Sequence, residues 1–213
     1  MSRPFLYLAS RSVRRRVILR RMGVPFRVVP SRYIEEPLAG VGPAKLVVRH
    51  AAGKAHQAEV PKKEGWVLGA DTIVYCRGRI FGKPRNMREA FRMLTTLSKH
   101  PHWVYTGVAL FHPSTGRMRT GYAKTKVVFR QLSGKEIRGY LRKVNPLDKA
   151  GSYDVRKGSR IVRFMRGSFS NVVGLPAGLV RSLLSEMLGT VLKGTGLPLG
   201  GSGRKFKRIK IID

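Results

Sequence analysis

The apolar positions of this chain switch between the period of a strand and the period of a helix. Residues 5–9 form a short continuous apolar run, the pattern of a buried strand. Ser10 and Ser12 follow, and serine favours helix starts. Val13, Val17, Ile18 and Met22 then fall at helical spacing, and Gly23 marks the end of that helix. Residues 26–29 read as a second strand, and 30–42 as a Pro- and Gly-rich loop carrying Glu35 and Glu36. Ala44, Val47, Val48, Ala51 and Ala55 mark one face of a second helix. Residues 66–75 read as a strand interrupted at Gly69-Ala70-Asp71-Thr72, with a hairpin turn at 77–79 leading into Ile80 and Phe81.

The second half continues in the same manner. Asn86 with Glu89, and Ser133 with Glu136, have capping-box spacing ahead of two amphipathic helices. Between them, 103–111 and 118–132 predict a long hairpin around Pro113 to Gly116. Residues 145–153 form a polar loop, 159–164 and 169–173 read as strands, and Leu179, Val180, Leu183, Leu184 and Met187 predict a last helix. Strands alternating with helices around one long hairpin predict an α/β fold with a mixed sheet. The expected division is one folded domain over 1–188 and a flexible Gly-rich, basic tail over 189–213.

Composition narrows the class. The 213 residues contain no apolar run of 18, which excludes a membrane-spanning helix of ordinary length. The start of the chain lacks a long apolar segment followed by a small-residue cleavage site. The single cysteine, Cys76, excludes an internal disulfide framework and a cysteine-rich zinc site. A cytoplasmic protein is expected. Against this ordinary background, 43 Lys and Arg face 11 Asp and Glu, a net charge of +32. Such a chain attracts polyanions, so nonspecific nucleic-acid binding is one expectation; a globular enzyme with a basic surface is the other.

Four segments could carry chemistry. A strand entering a helix at Ser10, with Arg14 and Arg15 in the first turn, offers backbone N–H groups and guanidinium groups to an anion; a solvated basic helix face has the same pattern. Asp71 directly after Gly69-Ala70 in an apolar stretch is costly unless paired or bound to a cation. It can bind Mg²⁺, act as a general base, or simply bond to a turn. Gly82-Lys83-Pro84 holds a lysine that can reach phosphate. The segment Asp148-Lys149-Ala150-Gly151-Ser152-Tyr153 is a polar cluster or a plain turn. His100 and His102 read as a solvated loop pair, and no phosphate-binding loop or dinucleotide fingerprint is present.

Taken together these segments resemble the Maf family of nucleoside triphosphate pyrophosphatases, also called septum formation inhibitor proteins. The matching blocks run in order over roughly 5–188: Leu8-Ala9-Ser10-x-Ser12-x-Arg14-Arg15; Gly23-Val24-Pro25-Phe26 with Pro30-Ser31 and Glu35; Arg49 with Lys54-Ala55; Leu68-Gly69-Ala70-Asp71-Thr72; Gly82-Lys83-Pro84; Tyr105-Thr106-Gly107-Val108; the 148–153 segment; and Asn171-Val172-Val173-Gly174-Leu175-Pro176. The resemblance implies an elongated mixed sheet flanked by helices, two lobes around a cleft as in inosine triphosphatases, and commonly a homodimer. It implies metal-dependent hydrolysis of a nucleoside triphosphate to the monophosphate and pyrophosphate, in the branch acting on dTTP and UTP. Asp71 matches the catalytic acid, with Glu35 as its metal-side partner for Mg²⁺ or Mn²⁺. Ser10, Arg14, Arg15, Lys54 and Lys83 match phosphate-handling positions, and Thr72 supports Asp71.

Two departures stand out. Arg156 occupies the position where the family usually has a glutamine, and it becomes a candidate phosphate contact. The charge also departs, with basic residues crowding 14–21 and 138–143 while the motif acids remain. That pattern reads as a recharged surface around a retained core. It keeps two non-enzymatic alternatives in view: a nucleic-acid-binding protein on the same fold, and a regulator of septum formation or the cell cycle.

Overall fold

The computed structural model describes residues 6–36, 40–61, 65–156, 161–188 and the backbone of 210–212. Eight strands and six α-helices follow in chain order: β1 (Leu6–Leu8), α1 (Val13–Arg21), β2 (Phe26–Val28), α2 (Pro43–His56), β3 (Trp66–Cys76), β4 (Arg79–Phe81), α3 (Met87–Lys99), β5 (His102–Phe111), β6 (Met118–Phe129), α4 (Gly134–Leu141), β7 (Val162–Arg166), α5 (Phe169–Val173), α6 (Ala177–Leu188) and β8 (Lys210–Ile212). A single 3-10 turn sits at Ala150–Ser152. The strands form one mixed sheet in the order β2-β1-β3-β5-β6-β7-β8, with β4 paired to β3. β1 runs parallel to β2 and β3, whereas β4 is antiparallel to β3 and β7 is antiparallel to β6. The expected mixed α/β fold is therefore present.

The chain divides into two compact units, each assembled from separated segments. The first comprises Met1–Asp71, Thr106–Ala123 and Gly174–Pro198; the second comprises Thr72–Tyr105, Lys124–Val173 and Leu199–Asp213. In the first unit all three residues of β1 are buried, as a parallel strand covered on both faces requires. Tyr7, Ala9, Val67, Ala109 and Phe111 from the sheet pack against Ala51 and Ala55 of α2. Two glycines let α2 lie that close. A Cβ on Gly69 would fall 2.1 Å from the Ala51 carbonyl oxygen, and one on Gly107 would fall 2.2 Å from that of Val47.

In the second unit α3 and α4 start as their sequences predict. The Asn86 side chain accepts from the Glu89 N–H at 2.9 Å. Ser133 and Glu136 form both arms of a capping box. The Glu89 carboxylate turns instead to the Arg85 backbone N–H, so only half of the first box forms. The segment 148–156 is anchored by Gly151, whose N–H donates to the Gly82 carbonyl at 3.0 Å. That bond joins two of the four candidate segments. Gly151 has φ +68°, and a Cβ there would press on Val74 and Leu97.

Four expectations are corrected. β3 runs unbroken through Gly69-Ala70-Asp71-Thr72; the glycine marks a close helix approach rather than a break. Residues Phe169–Val173 are helical. Their apolar and β-branched composition resembles a strand, but Ser168 accepts from the Asn171 N–H at 3.2 Å, and the buried Asn171 amide donates to the Val104 carbonyl and the Thr125 hydroxyl. Val13 is 60% exposed, so α1 buries Ile18 and Leu19 instead of a face including Val13. His102 is fully buried in β5 rather than solvated. The expected tail over 189–213 lies outside the described residues except at 210–212, whose backbone pairs parallel with β7.

Candidate active site

Asp71 is held by β3 with only 5% of its surface exposed. Because Gly69 seats α2 directly on this strand, Lys54, one turn from the Ala51 contact, lies over the carboxylate. Lys54 Nζ donates to Asp71 Oδ1 at 2.7 Å and pairs with Glu35 Oε1 at 2.5 Å. One ammonium group thus bridges two carboxylates. The second Asp71 oxygen, Oδ2, is buried without a hydrogen-bond partner. A buried oxygen in that condition is costly unless something binds it.

Glu35 reaches Lys54 because its loop is tied to α2. The Tyr33 ring lies against Gly53, where a Cβ would fall 2.1 Å from the nearest ring carbon. The Tyr33 hydroxyl is 2.9 Å from His50 Nδ1. Ser31 forms an antiparallel bridge with Ala58, and the Arg32 N–H donates to the Gln57 carbonyl. Burial pushes the Tyr33 phenol up from its ordinary pKa, with Arg49 pulling it back. Tyr33, His50 and Gly53 were not among the sequence candidates. Their signal was a glycine inside an amphipathic helix, which marks a close contact.

Arg15, on the first turns of α1, is partly buried. Its Nε donates to the Gly174 carbonyl at 2.8 Å and its Nη1 to Ser10 Oγ at 3.1 Å. Ser10 Oγ also accepts from the Ser12 N–H at 3.2 Å. Burial lowers the Arg15 pKa, while Asp71 and Glu35 pull it back up. Ser10, Arg15, Glu35, Lys54 and Asp71 therefore form one electrostatic group, all within the first unit. Arg14 lies on the same helix.

Thr72, Lys83 and Arg156 belong to the second unit. Lys83 is exposed between Gly82 and the buried Pro84. Arg156 forks onto Asp154, with Nε to Oδ1 at 2.9 Å and Nη2 to Oδ2 at 2.6 Å, and the Arg156 backbone N–H donates to Oδ1 at 3.0 Å. That bidentate contact holds the Asp154 carboxyl below its ordinary pKa against the opposing effect of burial. The turn carrying Arg156 is further fixed by Tyr153, whose hydroxyl lies 3.1 Å from His102 Nε2. Lys149 bonds within its own turn, to Asp148 and to the Asn145 carbonyl.

A buried strand carboxylate under a helix lysine, with a serine and arginine pair at a strand-to-helix junction of the same unit, gathers acid and basic side chains in an α/β protein. The chain belongs to the family described as Maf-like protein, whose pattern matches residues 5–187. It is 42% identical over 181 residues to the dTTP/UTP pyrophosphatase of Moorella thermoacetica, covering 84% of this chain and 93% of that protein. It is 44% identical over 177 residues to that of Geobacter sp. strain M21, covering 83% and 92%. With that of Pelotomaculum thermopropionicum it shares 37% over 182 residues, covering 85% and 95%. Among the described residues, no helix is long and apolar enough to cross a membrane.

Proposed function

We propose that the chain is a cytoplasmic nucleoside triphosphate pyrophosphatase that converts dTTP and UTP to the monophosphate and pyrophosphate. The observation that carries this reading is Asp71, a strand-borne carboxylate with one oxygen on Lys54 and the other buried and unpartnered. The names of the relatives support the substrate choice. In the reaction a water oxygen forms a bond to the α-phosphorus, its proton passes to Asp71 Oδ2, and the α–β bridging oxygen leaves with the electron pair as pyrophosphate. Lys54 holds the Asp71 carboxylate in place by donating to Oδ1. Ser10, Arg14, Arg15, Lys54 and Lys83 hold the triphosphate and stabilise the charge that develops on the leaving group. Thr72 supports Asp71 from the next strand position. Arg156, its fork engaged by Asp154, is the candidate phosphate contact of the second unit.

The residues also fit a divalent cation. Asp71 Oδ2 is an oxygen donor lacking a partner, and Glu35 adds a second carboxylate on the same lysine. The described residues contain no group of three or more His, Cys, Asp or Glu able to hold a metal. Mg²⁺ and Mn²⁺ suit such a sparse site, since they bind through one or two carboxylates and complete their shell with water and substrate phosphate. When bound, the cation would neutralise phosphate charge. The catalytic portion is assigned to 1–188, with 189–213 a basic extension.

The test is pyrophosphate release from a panel of nucleoside triphosphates with Mg²⁺ or Mn²⁺ at moderate salt. Release from dTTP or UTP that disappears on chelation, and in Asp71→Asn, is expected. No release from any triphosphate by the folded protein would overturn the reading. The net charge of +32 favours a second one, a noncatalytic polyanion binder, in which Asp71→Asn leaves binding unchanged.

A further inference from the structure

In the second unit, the sheet has two contrasting faces. His102, Val104, Val127 and Phe129 point to one side and are buried. There Phe129 and His102 pack against Tyr153. The alternate residues point the other way and stay half-buried or exposed: Trp103 and Tyr105 on β5, Lys124 and Lys126 on β6, Tyr75 on β3. The β6–β7 register sets Arg166 opposite Lys126 and so on the same face.

These side chains meet one another. Lys124 Nζ lies 5.4 Å and Lys126 Nζ 5.9 Å from the centroid of the Trp103 ring. Tyr75 and Tyr105 make an edge contact with centroids 6.2 Å apart. The face sets aromatic rings on β3 and β5 beside cations on β6 and β7, with both lysines against Trp103. A merely solvated basic surface does not set a half-open tryptophan and two tyrosines alongside its lysines. Rings take unpaired bases by stacking, and neighbouring cations take the phosphates between them.

We infer that this sheet face binds single-stranded nucleic acid, with Trp103, Tyr75 and Tyr105 as the stacking platform and Lys124, Lys126 and Arg166 as phosphate contacts. The surplus of cations over the whole chain supplies long-range attraction; the platform supplies the preference for unpaired bases. Duplex hides its base faces, so it gains only the electrostatic part. The inference stands apart from the pyrophosphatase reading, because none of the six residues is assigned to the acid–base centre.

The test is fluorescence anisotropy with a labelled oligothymidine and a hairpin duplex of equal charge, on the full chain. Wild type should prefer the single strand. Trp103→Ala should weaken oligothymidine binding about tenfold, Trp103→Phe should restore most of it, and duplex binding should change little. The pair Lys124→Gln and Lys126→Gln should reduce the slope of log K against log salt by about 1.4, at about 0.7 for each phosphate contact. Circular dichroism melting confirms that each variant is folded. Equal binding of strand and duplex, or a Trp103→Ala variant that binds like wild type, would show charge attraction without a platform and overturn the inference. It would be overturned too if saturating dTTP displaced the oligonucleotide and Trp103→Ala raised the KM for dTTP, since the face would then be a substrate subsite.

Discussion

His102 makes stability depend on pH in a calculable way. Its ring is fully buried, with centroids 4.7 Å from Phe129 and 5.5 Å from Tyr153. Burial pushes its pKa down from 6.5 to about 4, and a backbone hydrogen bond at His100 opposes this only weakly. In the unfolded chain the imidazole takes its proton near pH 6.5, whereas in the folded chain it waits until about pH 4. Between those values the unfolded state binds more protons, so stability is complete above pH 6.5 and is lost as pH falls towards 4. The whole shift corresponds to about 3 kcal/mol, at about 1.4 kcal/mol per unit. At pH 5 about 2 kcal/mol is gone, which lowers Tm by about 4–8 °C for a chain of this size.

Carboxylates add their own losses at lower pH. The Ser133 backbone N–H and Arg130 hold Glu136 at about 2, so its contribution fades only below its ordinary value of 4.5. The comparison therefore belongs between pH 7 and 5. Denaturant unfolding of wild type and His102→Phe across that range should give curves whose difference narrows by about 2 kcal/mol towards pH 5. A constant difference, within about 0.5 kcal/mol, would refute the assignment of a neutral, buried His102. His102 also bonds to Tyr153, so the turn that carries Arg156 shares this pH dependence.

Gly69→Ala should destabilise by about 3 kcal/mol, since its Cβ would strike the Ala51 carbonyl and lift α2 from the sheet; a Tm within 2 °C of wild type, roughly the resolution of the scale, would refute this. Lys54→Met should lower stability by about 3 kcal/mol and abolish turnover, because Asp71 loses its cation; unfolding titration and pyrophosphate release check the two effects separately. The melting temperature should rise as salt increases from about 0.02 to 0.5 M, as screening relieves the self-repulsion of a chain at +32, and a flat salt response would contradict it.

Most elements were legible because their signals are local. Period-2 and period-3.6 patterns placed the strands and helices, and the Ser133–Glu136 box formed as its spacing predicts. The failures occurred where distant partners decide. Residues Phe169–Val173 look extended, yet the Asn171 side chain finds its partners on β5 and β6, contacts that run 67 and 46 residues along the chain. His102 has the local pattern of a solvated residue, since a pair of histidines around a proline is polar. Its burial depends on Tyr153, 51 residues away. Gly69 looked like a break because a sequence does not display the helix that lands on it.

Propensity, periodicity and spacing are properties of neighbouring positions, so the alternation of elements, the charge and the blocks of residues that carry chemistry are readable along the chain. Those blocks name Asp71, Glu35, Lys54, Ser10 and Arg15 without stating who touches whom. That Lys54 bridges both acids, that Asp71 keeps one oxygen unpartnered and that Arg156 is taken up by Asp154 emerge only once the chain is folded. Those pairings are set by how closely α2 lies on β3 and by where each turn is anchored, and such distances are fixed by packing between segments far apart in the chain.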